Sequence, residues 1–165
     1  MADKGTRNAI FALRTLMERA IEVQKDLYLC FIDYSKAFDK VRHSDLFDIL
    51  QGINCDGKDL RVIRNLYWEQ PSAIRVDGDC SEYRPICRGV RQGCVFSPDL
   101  FNIYSEFILR NIEEHEGIKV GGQNMNNLRY ADDTVLIADS EKKSPKILTT
   151  VTIESENIGL QLSAW

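Results

Sequence analysis

The sequence has 165 residues, of which 44% are hydrophobic and 28% are charged, and 21 Lys and Arg against 25 Asp and Glu give a formal charge of −4. A single domain of this size buries roughly 70% of the surface of its unfolded chain, and the composition excludes intrinsic disorder. No apolar run approaches the roughly 18 residues of a membrane helix, and the amino terminus does not resemble a signal peptide. We therefore expect an intracellular protein of the cytoplasm or nucleus.

The five cysteines and two histidines restrict the metal and nucleophile chemistry. The cysteine count is odd and no CxxC pair occurs, which argues against a disulfide framework and a zinc knuckle and favours reduced thiols. His43 and His115 lack suitably spaced partners, which disfavours a His-ligated metal or a Ser-His-Asp triad. Carboxylates that bind a hard cation remain an open alternative.

The first part of the chain alternates helical and extended patterns. Apolar residues at helical spacing predict an amphipathic helix over residues 6–25. Residues 27–32 are apolar on both alternating faces, which predicts a doubly buried strand that ends at Asp33. Two short packing helices follow, one capped by Ser44 and one beginning after Gly57.

The later patterns predict a hairpin, two helices and a pair of strands. The pattern predicts a hairpin that pairs residues 73–76 with 83–86 around Asp77-Gly78. Ser97-Pro98-Asp99 predicts the capped start of a helix. Residues 128–131 and 134–138 read as strands, and a last helix runs from Ser144-Pro145 to near Gly159. The order of elements predicts an α+β fold, with helices packed on a small antiparallel sheet.

Three carboxylates at predicted strand ends form the first candidate site. Asp33 follows the doubly buried strand, and Asp132-Asp133 occupy a two-residue connection where Asn-Gly or Asp-Gly is preferred. Each position alone is more often a solvated surface turn. Taken together, the three acids suit two Mg²⁺ ions in a phosphoryl-transfer site.

A glycine-containing loop, residues 89–98, precedes the predicted helix at Ser97. Its two glycines allow close approach of the backbone to a ligand. The loop lacks the Walker spacing, so an ordinary turn before a capped helix has equal weight.

Three segments together resemble motifs A, B and C of reverse transcriptases. They are Phe-Ile-Asp-Tyr-Ser-Lys-Ala-Phe-Asp-Lys-Val at 31–41, Gly-Val-Arg-Gln-Gly-Cys-Val-Phe-Ser-Pro at 89–98, and Tyr-Ala-Asp-Asp at 130–133. The long form of motif A, with Lys4-Gly-Thr6 ahead of the first helix, resembles the non-LTR (LINE-type) retrotransposon branch. The resemblance covers about residues 4–162 and implies a reverse-transcriptase-like palm, with residues 1–165 as one fragment of a reverse transcriptase domain.

The resemblance also implies a metal site. Asp33 and Asp132 would hold two Mg²⁺ ions, with Mn²⁺ as a substitute, Asp133 would support the second acid, and the Tyr34 carbonyl would add an oxygen ligand. The implied activity is RNA-directed DNA polymerisation, in which a dNTP is added to a primer 3′-hydroxyl on an RNA or DNA template.

Further residues take their implied roles from the same motifs. Phe38 matches the position whose ring blocks the ribose 2′-hydroxyl and so selects dNTPs, and Gln92 and Gly93 would line the pocket of the nascent base pair. Tyr130 would pack beside the primer terminus, and Arg91 belongs to a local basic cluster that would contact primer or template.

The sequence also departs from the family pattern. The basic fingers segment expected before Lys4, the Lys of motif D after Leu160 and a thumb are missing, so we expect the full-length protein to supply them and the isolated chain to be weakly active or inactive. A truncated, non-catalytic retrotransposon remnant that acts as a binding or interaction module is the main alternative. An acid-rich Mg²⁺-dependent phosphatase would need a D-x-D run, which Asp33-Tyr-Ser does not provide.

Overall fold

The computed structural model describes residues 6–68, 70–112, 117–120, 122–130 and 133–163. They fall into two compact units, one within residues 1–35 and 105–165 and the other within residues 36–104. The helices and strands, in chain order, are α1 (Thr6–Glu22), β1 (Tyr28–Ile32), α2 (Ala37–Lys40), α3 (His43–Gly52), α4 (Gly57–Tyr67), β2 (Gln70–Ser72), β3 (Arg75–Val76), β4 (Asp79–Cys80), β5 (Arg84–Ile86), α5 (Ser97–Arg110), β6 (Ile118–Val120), β7 (Gln123–Met125), β8 (Asn127–Tyr130), β9 (Asp133–Ala138) and α6 (Ser144–Asn157).

A three-stranded antiparallel sheet of order β1-β9-β8 is the centre of the first unit. The predicted strands at 27–32, 128–131 and 134–138 are thus present, with small shifts of their ends. α6 packs against β1 and β9, and the hydroxyls of Tyr34 and Ser155 lie 3.1 Å apart. Burial under this helix raises the pKa of Tyr34. One face of the sheet is therefore sealed by α6.

The second unit contains the Asp-Gly turn that the sequence predicts, with a different strand pairing. Asp77 (φ 51°) and Gly78 (φ 97°) are both left-handed, as a two-residue hairpin turn requires. So short a turn pairs the strands that directly flank it, so β3 pairs with β4. The predicted pairing of residues 73–76 with 83–86 is wrong, because β5 pairs with β2 instead.

Ser44 does not cap α3 as the sequence predicts. The helix begins two residues earlier than predicted, at His43, whose backbone N–H donates to the Cys87 carbonyl at 3.1 Å. The Ser44 hydroxyl donates to the Asp45 carboxylate instead, at 3.0 Å. α4 begins at Gly57 as predicted, and the Asp56 side chain accepts a hydrogen bond from the backbone N–H of Lys58.

The β6–β7 hairpin is not predicted from the sequence, and it depends on a buried glycine. The backbone N–H of Gly117 donates to the Asn124 side chain at 2.8 Å, and a Cβ on Gly117 would overlap the main chain of Met125. The strands are only three residues long, so they carry little hydrophobic pattern.

Gly117→Ala is expected to lower the free energy of unfolding by about 1–3 kcal/mol, because main-chain atoms must move to admit the methyl group. Gly52→Ala is the matched control, since nothing lies within 4 Å of its added Cβ and alanine favours a helix. Urea unfolding measures both variants. Equal midpoints for the two variants would contradict the close packing at Gly117.

Two general features follow from the described part of the chain. No helix there is long and apolar enough to span a bilayer. The five cysteines are free thiols.

Candidate active site

The strand register brings two of the predicted acids together. Ile32 of β1 pairs with Thr134 of β9, and the residues that adjoin this last pair at the same end are Asp33 and Asp133. Asp33 precedes Tyr34, whose side chain contacts α6, and side chains of neighbouring residues in an extended chain alternate in direction. Asp33 and Asp133 thus lie at the same end of the sheet.

Asp133 is a strand residue. It is the first residue of β9 and pairs with Tyr130, so the prediction that Asp133 belongs to a two-residue turn is wrong. Asp132 lies outside the described residues, as does the side chain of Tyr130. The structure therefore locates Asp33, Asp133 and the Tyr130 backbone.

Asp33 and Asp133 both line a cavity of about 340 Å³. Its other walls are mainly apolar side chains of α1, β1, β8 and β9. Arg129 also lines the cavity and forms an ion pair with Glu106. Asp33 and Asp133 bring two negative charges to this cavity, and a bound cation would offset them.

The donor atoms at this end of the sheet fit a hard divalent cation. Asp33 is half-buried and Asp133 is exposed, and carboxylate oxygens are the ligands that Mg²⁺ prefers. Tyr34, whose carbonyl is the predicted additional ligand, pairs with Leu162. Within the described residues no group of three metal-ligating side chains occurs, and Asp132 is not among those residues.

Phe38 lies in the second unit, where its ring is stacked on another aromatic side chain. The ring centroids of Phe38 and Phe101 are 4.9 Å apart with an interplanar angle of 22°. Phe101 is fully buried, whereas Phe38 is half-buried. The stack fixes the orientation of the Phe38 ring and leaves part of it accessible.

The start of the glycine loop is hydrogen-bonded to the chain around Phe38. The backbone N–H of Val90 donates to the Phe38 carbonyl at 2.8 Å, and that of Gly89 donates to the Val41 carbonyl at 2.8 Å. Gly89 has a φ of 93°, and a Cβ there would lie 3.4 Å from the Asp39 carbonyl oxygen. The ring nitrogen Nε2 of buried His43 lies 2.8 Å from the Gly89 carbonyl. The structure thus joins predicted motifs A and B.

The rest of the loop is closed by a hydroxyl that the sequence assigns to a different role. The Ser97 hydroxyl donates to the Arg91 carbonyl at 2.6 Å, and α5 begins at Ser97 itself. The Tyr67 hydroxyl lies 3.1 Å from the same Ser97 oxygen. Gln92 and Gly93 are exposed at the tip of this closed loop. Tyr67 and His43 were missed as site residues, since nothing near them in sequence marks a contact with the loop.

The predicted residues therefore form two groups, one in each unit. Asp33, Asp133 and the Tyr130 backbone belong to the first. The second contains Phe38, Arg91, Gln92 and Gly93, of which Arg91 is exposed.

The family model described as reverse transcriptase (RNA-dependent DNA polymerase) matches residues 4–164. The chain belongs to the reverse transcriptase family. It is 33% identical over 141 residues to the Pol polyprotein of the type-2 retrotransposable element R2DM of Drosophila melanogaster. The aligned region covers 85% of this chain and 13% of that protein. It is 32% identical over 164 residues to a Pol polyprotein of a type-1 element R2 of Popillia japonica, covering 97% of this chain and 23% of that protein. The chain thus spans less than a quarter of the length of these relatives. Both relatives are R2 retrotransposon proteins, so the predicted non-LTR type is confirmed.

Solved telomerase structures share the fold of this reverse transcriptase chain. Telomerase from Candida albicans, in complex with a TWJ fragment of telomeric RNA, superposes with a TM-score of 0.73 at 13% identity, over 97% of this chain and 29% of the telomerase chain. Apo telomerase from Candida tropicalis gives a TM-score of 0.70 at 13% identity. The predicted α+β, reverse-transcriptase-like palm is confirmed.

Proposed function

We propose that this chain is the palm of an RNA-directed DNA polymerase, with residues 1–165 forming one fragment of the polymerase domain. The reaction would add a dNTP to a primer 3′-hydroxyl on a nucleic-acid template. The observation that carries the proposal is the pairing of β1 with β9, whose last pair adjoins Asp33 and Asp133, within motifs of the matched family.

Asp33, Asp132, Asp133 and the Tyr34 carbonyl would hold two Mg²⁺ ions, or Mn²⁺ in their place. When bound, such ions supply the positive charge that activates the primer hydroxyl and stabilises the leaving pyrophosphate. The position of Asp33 and Asp133 beside one cavity supports this role, since a cation would offset their negative charges.

The second group of residues would select and position the substrates. Phe38, held by Phe101, would exclude the ribose 2′-hydroxyl, and the exposed Gln92 and Gly93 would contact the nascent base pair. Arg91 and Tyr130 would contact the primer and template. An RNA template as partner is suggested by the telomerase relatives of this fold, one of which is complexed with RNA.

Mn²⁺ binding, followed by electron paramagnetic resonance of the free ion, tests the metal assignment. Asp33→Asn and Asp133→Asn are expected to weaken Mn²⁺ binding at least tenfold, because each removes a charged oxygen ligand. Asp139→Asn is the matched control, since Asp139 follows the other end of β9 and pairs with Lys143 at 2.9 Å.

Binding by Asp139→Asn should equal that of the wild type. If Asp33→Asn and Asp133→Asn also bind as the wild type does, the metal site is wrong. The alternative of a non-catalytic interaction module would then be favoured.

A further inference from the structure

The segment after α6 pairs with the chain just beyond β1, where Asp33 lies. The backbone N–H of Ser35 donates to the Gln161 carbonyl at 2.9 Å, and Tyr34 forms an antiparallel bridge with Leu162. The backbone N–H of Ser163 donates to the Asp33 carbonyl at 2.8 Å. Residues 161–163 therefore form a short extended strap along Asp33, Tyr34 and Ser35.

Ser163 makes a second contact at the end of this strap. Its hydroxyl donates to the Oδ2 atom of Asp33 at 3.1 Å, across 130 positions of sequence. Both residues are half-buried. Ser163 thus makes two hydrogen bonds to Asp33. Its backbone N–H binds the Asp33 carbonyl, and its hydroxyl binds the Asp33 carboxylate.

We infer that Ser163 is a positioning residue for the metal-binding carboxylate of Asp33, an inference that rests on the proposed function. The terminal torsion of an aspartate side chain is broad, so an unrestrained carboxylate samples many orientations. The Ser163 hydroxyl engages Oδ2 and restricts this rotation, and the other oxygen, Oδ1, is then presented in a constant direction. Partners that orient a metal ligand in this way typically contribute 10- to 100-fold to metal affinity.

The variant Ser163→Ala isolates the hydroxyl, because the backbone N–H that bonds Asp33 remains. We expect it to bind Mn²⁺ about 10-fold more weakly than the wild type, with an unchanged midpoint of thermal unfolding. Ser163→Thr keeps a hydroxyl and is expected to restore binding to within about threefold. Ser35→Ala is the matched control, since this exposed serine contacts the same strap through its backbone N–H, which the substitution keeps.

The outcomes separate this inference from the proposed function. If Asp33→Asn loses Mn²⁺ binding while Ser163→Ala binds as the wild type does, the positioning role is overturned and the metal site stands. If Asp33→Asn also binds normally, the metal site itself fails. Weak binding by Ser163→Thr as well, or a lowered unfolding midpoint of Ser163→Ala, would overturn the positioning role in favour of a structural one.

Discussion

Asparagine in place of Asp33 or Asp132 is expected to lower the rate of DNA synthesis by the full-length protein at least about 1,000-fold. Each substitution removes a charged ligand from the proposed metal site, and metal charge stabilises such transition states by several kcal/mol. Each 1.4 kcal/mol of that stabilisation corresponds to about a tenfold change in rate. Asp33 follows the end of β1 and is half-buried, so its replacement by an isosteric amide should leave the fold intact.

Primer extension on an RNA template with Mg²⁺ or Mn²⁺ measures this effect. Asp139→Asn is again the control, because it changes an acid at the opposite end of β9 and should extend primers normally. Circular dichroism of each variant confirms that the fold is retained. Extension that persists in a folded Asp33→Asn or Asp132→Asn protein would show that these acids do not hold the catalytic ions.

Phe38→Ala is expected to raise rNTP incorporation relative to dNTP incorporation about tenfold or more. The proposed steric exclusion of the 2′-hydroxyl depends on the ring, and the substitution replaces it with a methyl group. Single differences in packing against a substrate typically change discrimination 10- to 200-fold. Competition between the two nucleotide types in primer extension gives the ratio directly.

Phe107→Ala is the control for this experiment, because Phe107 is an exposed ring on α5, the same helix that supplies Phe101. It should leave sugar selectivity unchanged. An unchanged ratio in Phe38→Ala would leave Phe38 as a packing aromatic on Phe101 without a role in selection.

Most elements were predictable because their signals are local. The amphipathic pattern predicts α1, the Ser144-Pro145 pair predicts the start of α6, and the Asp77-Gly78 pair predicts a tight turn. Each of these signals depends on residues that are only a few positions apart. The errors arose where distant chain segments decide the outcome. The partner of β5 is β2 rather than β3, and α3 begins ahead of the predicted cap Ser44, at His43, whose backbone N–H binds the Cys87 carbonyl.

The sequence by itself determined the family of this protein, through three ordered motifs that the family match to residues 4–164 bears out. It also determined that Asp33 follows a strand of apolar residues, because the composition of a strand is a local property. The predicted burial of both faces of this strand is wrong, since Phe31 is 65% exposed. Only the tertiary structure decided that Asp33 and Asp133 lie at the same end of the sheet and that Ser163 binds Asp33. Strand register and long-range hydrogen bonds join residues that are distant in sequence, and they are selected by the packing of the whole unit rather than by neighbouring residues.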